Sequence, residues 1–388
     1  MEKIPLLLLF FSHLWVDASQ NIVPVVAPKL KEVFALDYFQ IGLLMMVLNL
    51  TSSVIQPLFG FISDRRSTGW FVCLGVLWTA VAMGLLGWSP NFYTALFLVG
   101  LSGLGTAAFH PRAYVATYQV SGSRQGFGTA IFATAGNIGF AIGPMLGSFL
   151  VLGYGLHATI CIIIPGVVIF LLVFMYPGDF LKREKAKHNK SQVDASGTPF
   201  PIPWVALIAV CTIVALRSWA NISFVAYLPM YFETQGIALE TGSALLSVYL
   251  ISAAVAGLYG GHLSDRVGRR LVVVTSLLLY TPITAMMILS GGWVLWALVA
   301  ASGAALLCSY SVTVVMAQEL LPRHMGLASG LILGLAFGTG GLGSALSGYL
   351  ADILGLRAVI WILAIAPLAG LLLAPLLKNP QERHQASA

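Results

Sequence analysis

The chain has very few charged side chains for its 388 residues. Its 20 Lys and Arg and 14 Asp and Glu make up 9% of the residues, whereas soluble domains contain about 25%. Apolar residues account for 58%, more than a water-facing surface of this size tolerates. These proportions exclude a soluble enzyme, a disordered chain and a fibrous protein. They predict an all-α polytopic membrane protein that the lipid bilayer surrounds.

Cysteine and recognisable catalytic motifs are also scarce. The four cysteines each lie within an apolar run and form no C-x-x-C pair, which excludes a disulfide framework. The chain contains no Walker loop, no H-E-x-x-H motif and no other clustered metal-ligand spacing. We therefore expect no enzymatic activity, no cofactor, no metal site and no ATP-driven step.

Twelve apolar segments are long enough to cross a membrane, which requires about 20 residues in a helix. They are predicted at 5–30, 38–63, 68–88, 93–119, 125–151, 157–177, 203–231, 240–264, 270–290, 293–319, 325–351 and 357–377. The stretch 178–202 is polar and basic. We interpret it as a cytoplasmic linker between an N-terminal six-helix half, 1–177, and a C-terminal six-helix half with a short tail, 203–388.

The basic residues are distributed unequally between the two sides of the membrane. Of the 20 Lys and Arg, 15 fall in loops and tails on the side of both termini and two, Arg112 and Arg217, lie within spans. The remaining three, Lys29, Lys31 and Arg357, are on the other side. The positive-inside rule therefore predicts that both termini are cytoplasmic. The net charge of +6 indicates membrane orientation and not a nucleic-acid partner.

The two halves repeat each other at an offset of 200 residues. Asn21 recurs as Asn221 and Gly143 recurs as Gly343. Two six-helix halves with a substrate site between them near the midplane form a known plan of secondary transporters. We therefore expect two pseudo-symmetric halves.

A loop motif follows the second and the eighth predicted spans. The first copy reads G-F-I-S-D-R-R from Gly60, and the second reads G-H-L-S-D-R-V-G-R-R from Gly261. This motif resembles the cytoplasmic loop signature of the major facilitator superfamily, and the second copy is complete. The resemblance implies gating roles for the motif residues. Glu319 lies at the inner end of the tenth span beside Pro322 and Arg323, and we expect it to be a cytoplasmic latch to the loop arginines. The predicted gating residues are Gly60, Asp64, Arg65, Gly261, Asp265, Arg266, Gly268, Arg269 and Glu319.

The fifth span contains small residues four positions apart. Gly139, Gly143, Pro144 and Gly147 resemble the G-x-x-x-G-P-x-x-G motif of antiporters in the superfamily. Small residues at this spacing let helix backbones touch. Generic helix packing is the alternative reading of the same pattern.

A closer resemblance covers nearly the whole chain. The segments S-H-L at 12–14 with Asp17, F-H-P at 109–111, Q-E-L-L-P at 318–322 and G-T-G-G-L-G at 338–343 are similar to the fosmidomycin-resistance subgroup. The resemblance implies the twelve-helix major facilitator fold, the inner membrane and export driven by proton antiport. The chain departs from these patterns at two positions. Val99 replaces the arginine of antiporters, and Arg112 replaces the acid that follows His-Pro.

Ionisable residues inside spans are costly and mark functional positions. Asp17 and Arg217 differ by the repeat offset, so we expect them at comparable depth on opposite sides of the cavity between halves. A buried ion pair, or a local partner for each, is the structural alternative. Asp17 and His110 are the predicted proton-coupling residues. The predicted substrate-binding residues are His13, Gln20, Asn21, His110, Tyr114, Arg217, Asn221 and Tyr310.

Together these patterns predict a monomeric secondary transporter that works by alternating access. We expect proton-coupled efflux of a small drug or metabolite, with anions among the candidates. An importer or facilitator of a small metabolite or siderophore on the same fold is the alternative, and the departures at Val99 and Arg112 support it.

Overall fold

The computed structural model describes residues 1–65, 69–122, 124–176, 203–321 and 325–377. Within these ranges the chain forms helices and contains no β-strand. The linker predicted at 178–202 lies outside the described residues. The helical spans are α1 (Lys3–Phe34), α2 (Tyr38–Gly60), α3 (Trp70–Trp88), α4 (Phe92–Val120), α5 (Gln125–Tyr154), α6 (Leu156–Met175), α7 (Trp204–Thr234), α8 (Leu239–Val267), α9 (Arg269–Leu289), α10 (Gly292–Leu320), α11 (Met325–Leu354) and α12 (Leu356–Leu376).

The twelve spans agree with the predicted segments. Eleven contain stretches that are long and apolar enough to cross a membrane. The twelfth, α11, has 30 residues and coincides with the predicted segment 325–351. Helices suit this environment because each satisfies its own backbone hydrogen bonds where water is absent. The prediction of an all-α, twelve-helix membrane protein is confirmed.

The first span consists of two helices, whereas the sequence predicts a single segment at 5–30. One helix ends at Gln20 and the next begins at Val23. Pro24 lacks a backbone N–H and cannot continue the hydrogen-bond ladder. The Asn21 side chain donates instead to the carbonyl of Asp17 at 3.1 Å, a local bond that competes with helix continuation. The break lies one turn beyond the buried Asp17.

The two halves use the same internal packing. In each half the first helix packs against the fifth, α1 against α5 and α7 against α11. Two further pairs join the halves, because α2 packs against α11 and α5 packs against α8. Equivalent helices therefore make equivalent contacts, which confirms the prediction of two pseudo-symmetric halves.

The halves are fastened together at one face of the bundle. We call the face at which α2 and α8 end the motif face, and the other the opposite face. At the opposite face, the Asp352 carboxylate of α11 accepts hydrogen bonds from the backbone N–H groups of Tyr38 at 2.7 Å and Phe39 at 2.9 Å. These first amides of α2 have no partner within their own helix. The Tyr227 hydroxyl lies 2.9 Å from the Tyr38 carbonyl and 3.0 Å from that of Ser344.

The apolar cores follow the same division. One buried cluster at the opposite face contains residues of both halves, such as Leu44 and Leu228. Toward the motif face, the described residues form separate clusters, one around Phe109 in the first half and one around Val214 in the second. Contacts between the halves are therefore concentrated at the opposite face.

We predict that Asp352→Ala separates the halves at the opposite face. A carboxylate or amide cap at a helix N-terminus contributes about 1 kcal/mol, which corresponds to an about fivefold change in the ratio of two populations. Spin labels at positions 93 and 293, whose side chains are 77% and 80% exposed, report the separation by electron–electron distance measurement. We expect a larger population at long distances in the variant.

The matched control is Asp37→Ala. Asp37 accepts a hydrogen bond from the Gln40 backbone within its own helix, so its loss removes a cap without removing a contact between halves. Equal distance distributions for Asp352→Ala and Asp37→Ala would contradict a fastening role for Asp352.

Candidate functional site

Three ionisable side chains of the first half meet between α1 and α4. His13 and Asp17 lie one turn apart on α1, and His110 extends from α4. His13 Nε2 is 3.2 Å from Asp17 Oδ2, and His110 Nε2 is 3.5 Å from Asp17 Oδ1. The two Nε2 atoms are 3.1 Å apart. Asp17 is only 3% exposed, so these contacts replace its hydration. We call this group the His–Asp–His triad.

Main-chain carbonyls fix the outer nitrogen of both imidazoles. His13 Nδ1 lies 2.7 Å from the carbonyl of Phe132 on α5, and His110 Nδ1 lies 3.1 Å from that of Thr106. A carbonyl only accepts hydrogen bonds, so we assign the proton of each neutral ring to Nδ1. Both Nε2 lone pairs then point toward each other and toward the Asp17 carboxylate. In this buried position, the three groups require at least one shared cation between them.

Glycines of α5 bring the backbone of α1 close enough to form the triad. A Cβ at Gly139 would lie 3.1 Å from the Asp17 Cβ, and one at Gly143 would lie 2.5 Å from the Asn21 Cβ. A Cβ at Gly136 would lie 2.6 Å from His13 Nε2 and 2.7 Å from Asp17 Oδ2. Larger residues at these positions would therefore push α1 away from α5.

The second half contains a buried arginine with an incomplete set of partners. Arg217 of α7 is 1% exposed. Its Nη1 donates to Ser309 Oγ at 3.2 Å and to Thr313 Oγ1 at 3.3 Å, whereas Nη2 has no hydrogen-bond partner among the residues that the structure describes. The guanidinium lies 5.3 Å from the centre of the Tyr310 ring. Ser309 occupies the break between the two helices of α10, which end and begin at Leu307 and Tyr310.

A tyrosine lies beside each of these groups. Tyr114 of α4 is 42% exposed, and its ring centre is 6.2 Å from that of His13. In the second half, the Arg217 guanidinium lies 5.3 Å from the centre of the Tyr310 ring. The triad and the arginine therefore each have an aromatic hydroxyl-bearing side chain next to them.

The remaining predicted substrate-binding residues make contacts within their own halves. The Gln20 amide donates to Ser102 Oγ at 3.4 Å, and the Asn221 carbonyl accepts from the Tyr249 hydroxyl at 3.0 Å. Asn21 bonds to the Asp17 carbonyl, as described above. Among the described residues, no carboxylate pairs with Arg217, so the structure contains local partners rather than an Asp17–Arg217 ion pair.

Comparison with known proteins identifies the family. The model of the Major Facilitator Superfamily matches residues 9–246 and 208–388. The chain belongs to the major facilitator superfamily. It is 30% identical over 387 residues to the MFS-type transporter YfnC of Bacillus subtilis, covering 98% of this chain and 94% of that protein. It is 29% identical over 382 residues to the fosmidomycin resistance protein of Escherichia coli, covering 96% and 92%. The resemblance to this subgroup is thereby confirmed.

Solved structures show the same fold. A bacterial homologue of the human lysosomal transporter Spinster, in an inward-facing and occupied conformation, superimposes with a TM-score of 0.81 at 14% identity over 96% of each chain. The nucleoside transporter NupG superimposes with a TM-score of 0.76 at 15% identity, over 97% of this chain and 99% of that one. These structures share the fold of this chain. Because the family model and the two relatives show membership of the superfamily, this chain is a membrane transporter of a small molecule and not an enzyme.

The second copy of the superfamily loop motif forms a polar cluster at the motif face. Arg269 donates to Ser264 Oγ at 2.7 Å, to Asp265 Oδ1 at 2.5 Å and to Glu319 Oε1 at 3.2 Å. Gly268, which ends α8, has a φ of 95°, a conformation that favours glycine. Arg269 therefore connects the start of α9 with the ends of α8 and α10.

The other predicted gating and antiporter residues are less informative. Gly261 approaches α10, where a Cβ would lie 3.1 Å from Ser311 Oγ, and Arg266 is exposed. Gly60 lies near the end of α2, but the side chains of Asp64 and Arg65 lie outside the described residues. Along α5, Gly147 continues the seam against α1, where a Cβ would lie 3.1 Å from the Ile22 Cβ, and Pro144 lies within an uninterrupted helix. The gating and antiport roles stay predictions.

Sequence reasoning missed the groups that complete both polar sites. Thr106 lies one turn before His110 on α4, so the contact between its carbonyl and the His110 ring could have been predicted from helical spacing. The Phe132 carbonyl comes from another helix and leaves no trace in the sequence. Ser309 and Thr313 lie close to Tyr310 in the sequence. Their hydroxyl contacts with Arg217 depend on the packing of α10, which is broken at Ser309, against α7, and the sequence does not show this packing.

We predict that Gly136→Ala disrupts transport without unfolding the protein. Overpacking of this kind costs about 1–3 kcal/mol, enough to separate the triad and to lower the transport rate at least about tenfold. The measurement is the uptake rate in vesicles at equal amounts of folded protein, judged by size-exclusion chromatography.

Gly153→Ala on the same helix is the matched control, because a Cβ there meets no atom within 4 Å. Transport at the parental rate by both variants would show that the space beside His13 and Asp17 is not needed.

Proposed function

We propose that this transporter exports a small anionic drug or metabolite in exchange for protons, by alternating access. The observation that carries the proposal is the buried guanidinium of Arg217 with its unpartnered Nη2. The proposed site lies in the inner membrane of a bacterial cell, and the transporter acts as a monomer with both termini in the cytoplasm.

The charge of Arg217 supports an anionic substrate. A guanidinium stays protonated in proteins, and a buried charge without a counter-ion is costly. Hydroxyl groups of Ser309 and Thr313 solvate one edge of the group but carry no negative charge. A carboxylate or phosphonate that enters the cavity supplies the missing charge and accepts from Nη2 in a charge-assisted hydrogen bond.

The position of the tyrosines supports binding between the halves. Tyr310 lies beside the guanidinium, and the exposed Tyr114 lies beside His13 in the other half. We infer that an anion held at Arg217 has its remaining atoms between Tyr310 and Tyr114, close to the triad. Binding there gives the substrate contacts with both halves, as alternating access requires.

The triad is the proposed coupling site. Its converging lone pairs and carboxylate need a cation, and a proton is the cation that inner-membrane gradients provide. The cation at Asp17 and the anion at Arg217 occupy the same cavity without sharing a ligand. When the halves rearrange, the proton would be released on one side of the membrane and the anion on the other, and this rearrangement would couple their movements.

We infer release to the outside from a resting state that opens inward. The distribution of Lys and Arg predicts that the motif face lies in the cytoplasm. Because contacts between the halves are concentrated at the opposite face, we expect the transport pathway to open toward the cytoplasm in this conformation. Relatives named for fosmidomycin resistance, multidrug resistance and sugar efflux favour export. Import or facilitated diffusion is the second candidate function, because Val99 replaces the antiporter arginine.

We predict that Arg217→Gln weakens substrate binding about 10- to 100-fold, since a hydrogen bond to a charged group contributes about 1.5–3 kcal/mol. Arg217→Lys keeps the charge but loses the planar fork, so its affinity should fall between those of Arg217→Gln and the parent. The measurement is calorimetric titration with the best ligand from a thermal-shift screen of phosphonates, carboxylates, sugars, amino acids and siderophores. Parental affinity in Arg217→Gln would reduce Arg217 to a structural role.

We predict that Asp17→Asn abolishes gradient-driven accumulation in inside-out vesicles while substrate binding persists. An amide cannot exchange a proton with the two imidazoles, whereas Arg217 remains available to the anion. Asp37→Asn, which changes an aspartate at a helix end, should accumulate substrate like the parent. If Asp17→Asn responds fully to an imposed proton gradient, the coupling site lies elsewhere. If the parent protein does not respond to the proton gradient either, the protein is a facilitator and not a proton-coupled exporter.

A further inference from the structure

The triad combines two imidazoles and one carboxylate, a ligand set that zinc sites with an open position also use. We propose that His13, Asp17 and His110 form a binding site for a zinc-class divalent cation. The sequence predicts no metal site, because His110 is 97 residues from His13. The inference depends on the geometry of the triad alone and is independent of the substrate and direction of transport.

The donor atoms converge closely enough for one ion to join them. Nitrogen and oxygen ligands about 2.0–2.1 Å from zinc lie about 3.3 Å from each other in a tetrahedral site. The two Nε2 atoms are 3.1 Å apart, and each lies near its own oxygen of the Asp17 carboxylate, His13 Nε2 at 3.2 Å from Oδ2 and His110 Nε2 at 3.5 Å from Oδ1. One ligand atom from each of the three residues lies within 4.8 Å of the others. Binding of an ion therefore requires only small movements of these side chains.

The outer nitrogens of the imidazoles are arranged as metal sites require. Histidine ligands of metals almost always donate their second N–H to a carbonyl or carboxylate, which fixes the tautomer and the ring orientation. Here the Phe132 and Thr106 carbonyls accept from the two Nδ1–H groups at 2.7 and 3.1 Å. Both Nε2 lone pairs are consequently available in the same small volume.

The surroundings close one side of the triad and leave another side for a fourth ligand. Gly136 lets α5 pack directly against His13 and Asp17, where a Cβ would lie 2.6 Å from His13 Nε2 and 2.7 Å from Asp17 Oδ2. His110 has a side chain that is partly exposed, and the exposed Tyr114 lies next to it. The open position therefore lies on the side of His110 and Tyr114, where water completes the coordination. Two nitrogen ligands favour zinc-class ions over Mg²⁺ and Ca²⁺, which prefer oxygen.

The test is metal binding to the purified full-length protein, prepared without a histidine tag and treated with a chelator. Co²⁺ is the probe, because a tetrahedral site gives intense visible absorption that an octahedral site lacks. Zn²⁺ is then added to displace it, and both stoichiometries are measured. We expect one Co²⁺ per chain in tetrahedral coordination and one-for-one displacement by Zn²⁺.

Variants assign the signal to the triad. His110→Gln and Asp17→Asn should each lower the Co²⁺ affinity at least tenfold and remove the tetrahedral spectrum. Gly136→Ala retains every ligand, but its Cβ would push His13 and Asp17 away from α5, so it should lose the spectrum as well. His262→Gln, which removes an exposed histidine elsewhere, is the matched control and should bind like the parent.

Three results would overturn the proposal. These are no binding by the parent, an octahedral spectrum only, or parental binding in both His110→Gln and Gly136→Ala. Each would leave the triad as a site for protons and would not affect the proposal of anion export, which is tested on Arg217. Conversely, if no transport assay showed proton coupling, the proposal of a metal site would be unaffected.

Discussion

Asp17 and Arg217 are both buried in this bundle, and neither balances the charge of the other. In a low-dielectric interior an unpaired ion is costly, so each half has to provide partners for its own charge. The first half provides two imidazoles to Asp17, and the second provides two hydroxyls and an aromatic ring to Arg217. The first solution lacks a cation and the second lacks an anion. We propose that a transported anion and its coupling proton supply the missing charges.

The backbone geometry follows from the need to place these groups. Glycines of α5 allow α1 to approach so closely that His13 reaches the Phe132 carbonyl. In the second half, α7 and α11 also approach closely at a glycine, since a Cβ at Gly340 would lie 2.9 Å from the Ser218 carbonyl of α7. The breaks in α1 and α10 lie beside Asp17 and Arg217 respectively. Small residues and helix breaks therefore occur where the polar sites need them.

Part of this arrangement follows from the sequence. Apolar segments of sufficient length predict the twelve spans, and the offset of 200 between Asp17 and Arg217 predicts their placement in opposite halves. Ionisable residues are conspicuous within apolar runs, so both were identified as functional candidates. The sequence does not reveal which helix faces contact each other. For that reason the proximity of His13 to His110, the unpartnered Nη2 of Arg217 and the cap that Asp352 forms on α2 could be seen only in three dimensions.

The central claim is that an anion and a proton move in opposite directions through one cavity. Its most direct test is proton flux in proteoliposomes that contain a pH-sensitive dye and are prepared without any initial gradient. Addition of the anionic substrate outside should make the interior more alkaline with the parent protein, because protons leave as substrate enters, and Arg217→Gln should give no signal. Substrate entry with no change in internal pH, or with acidification, would contradict antiport.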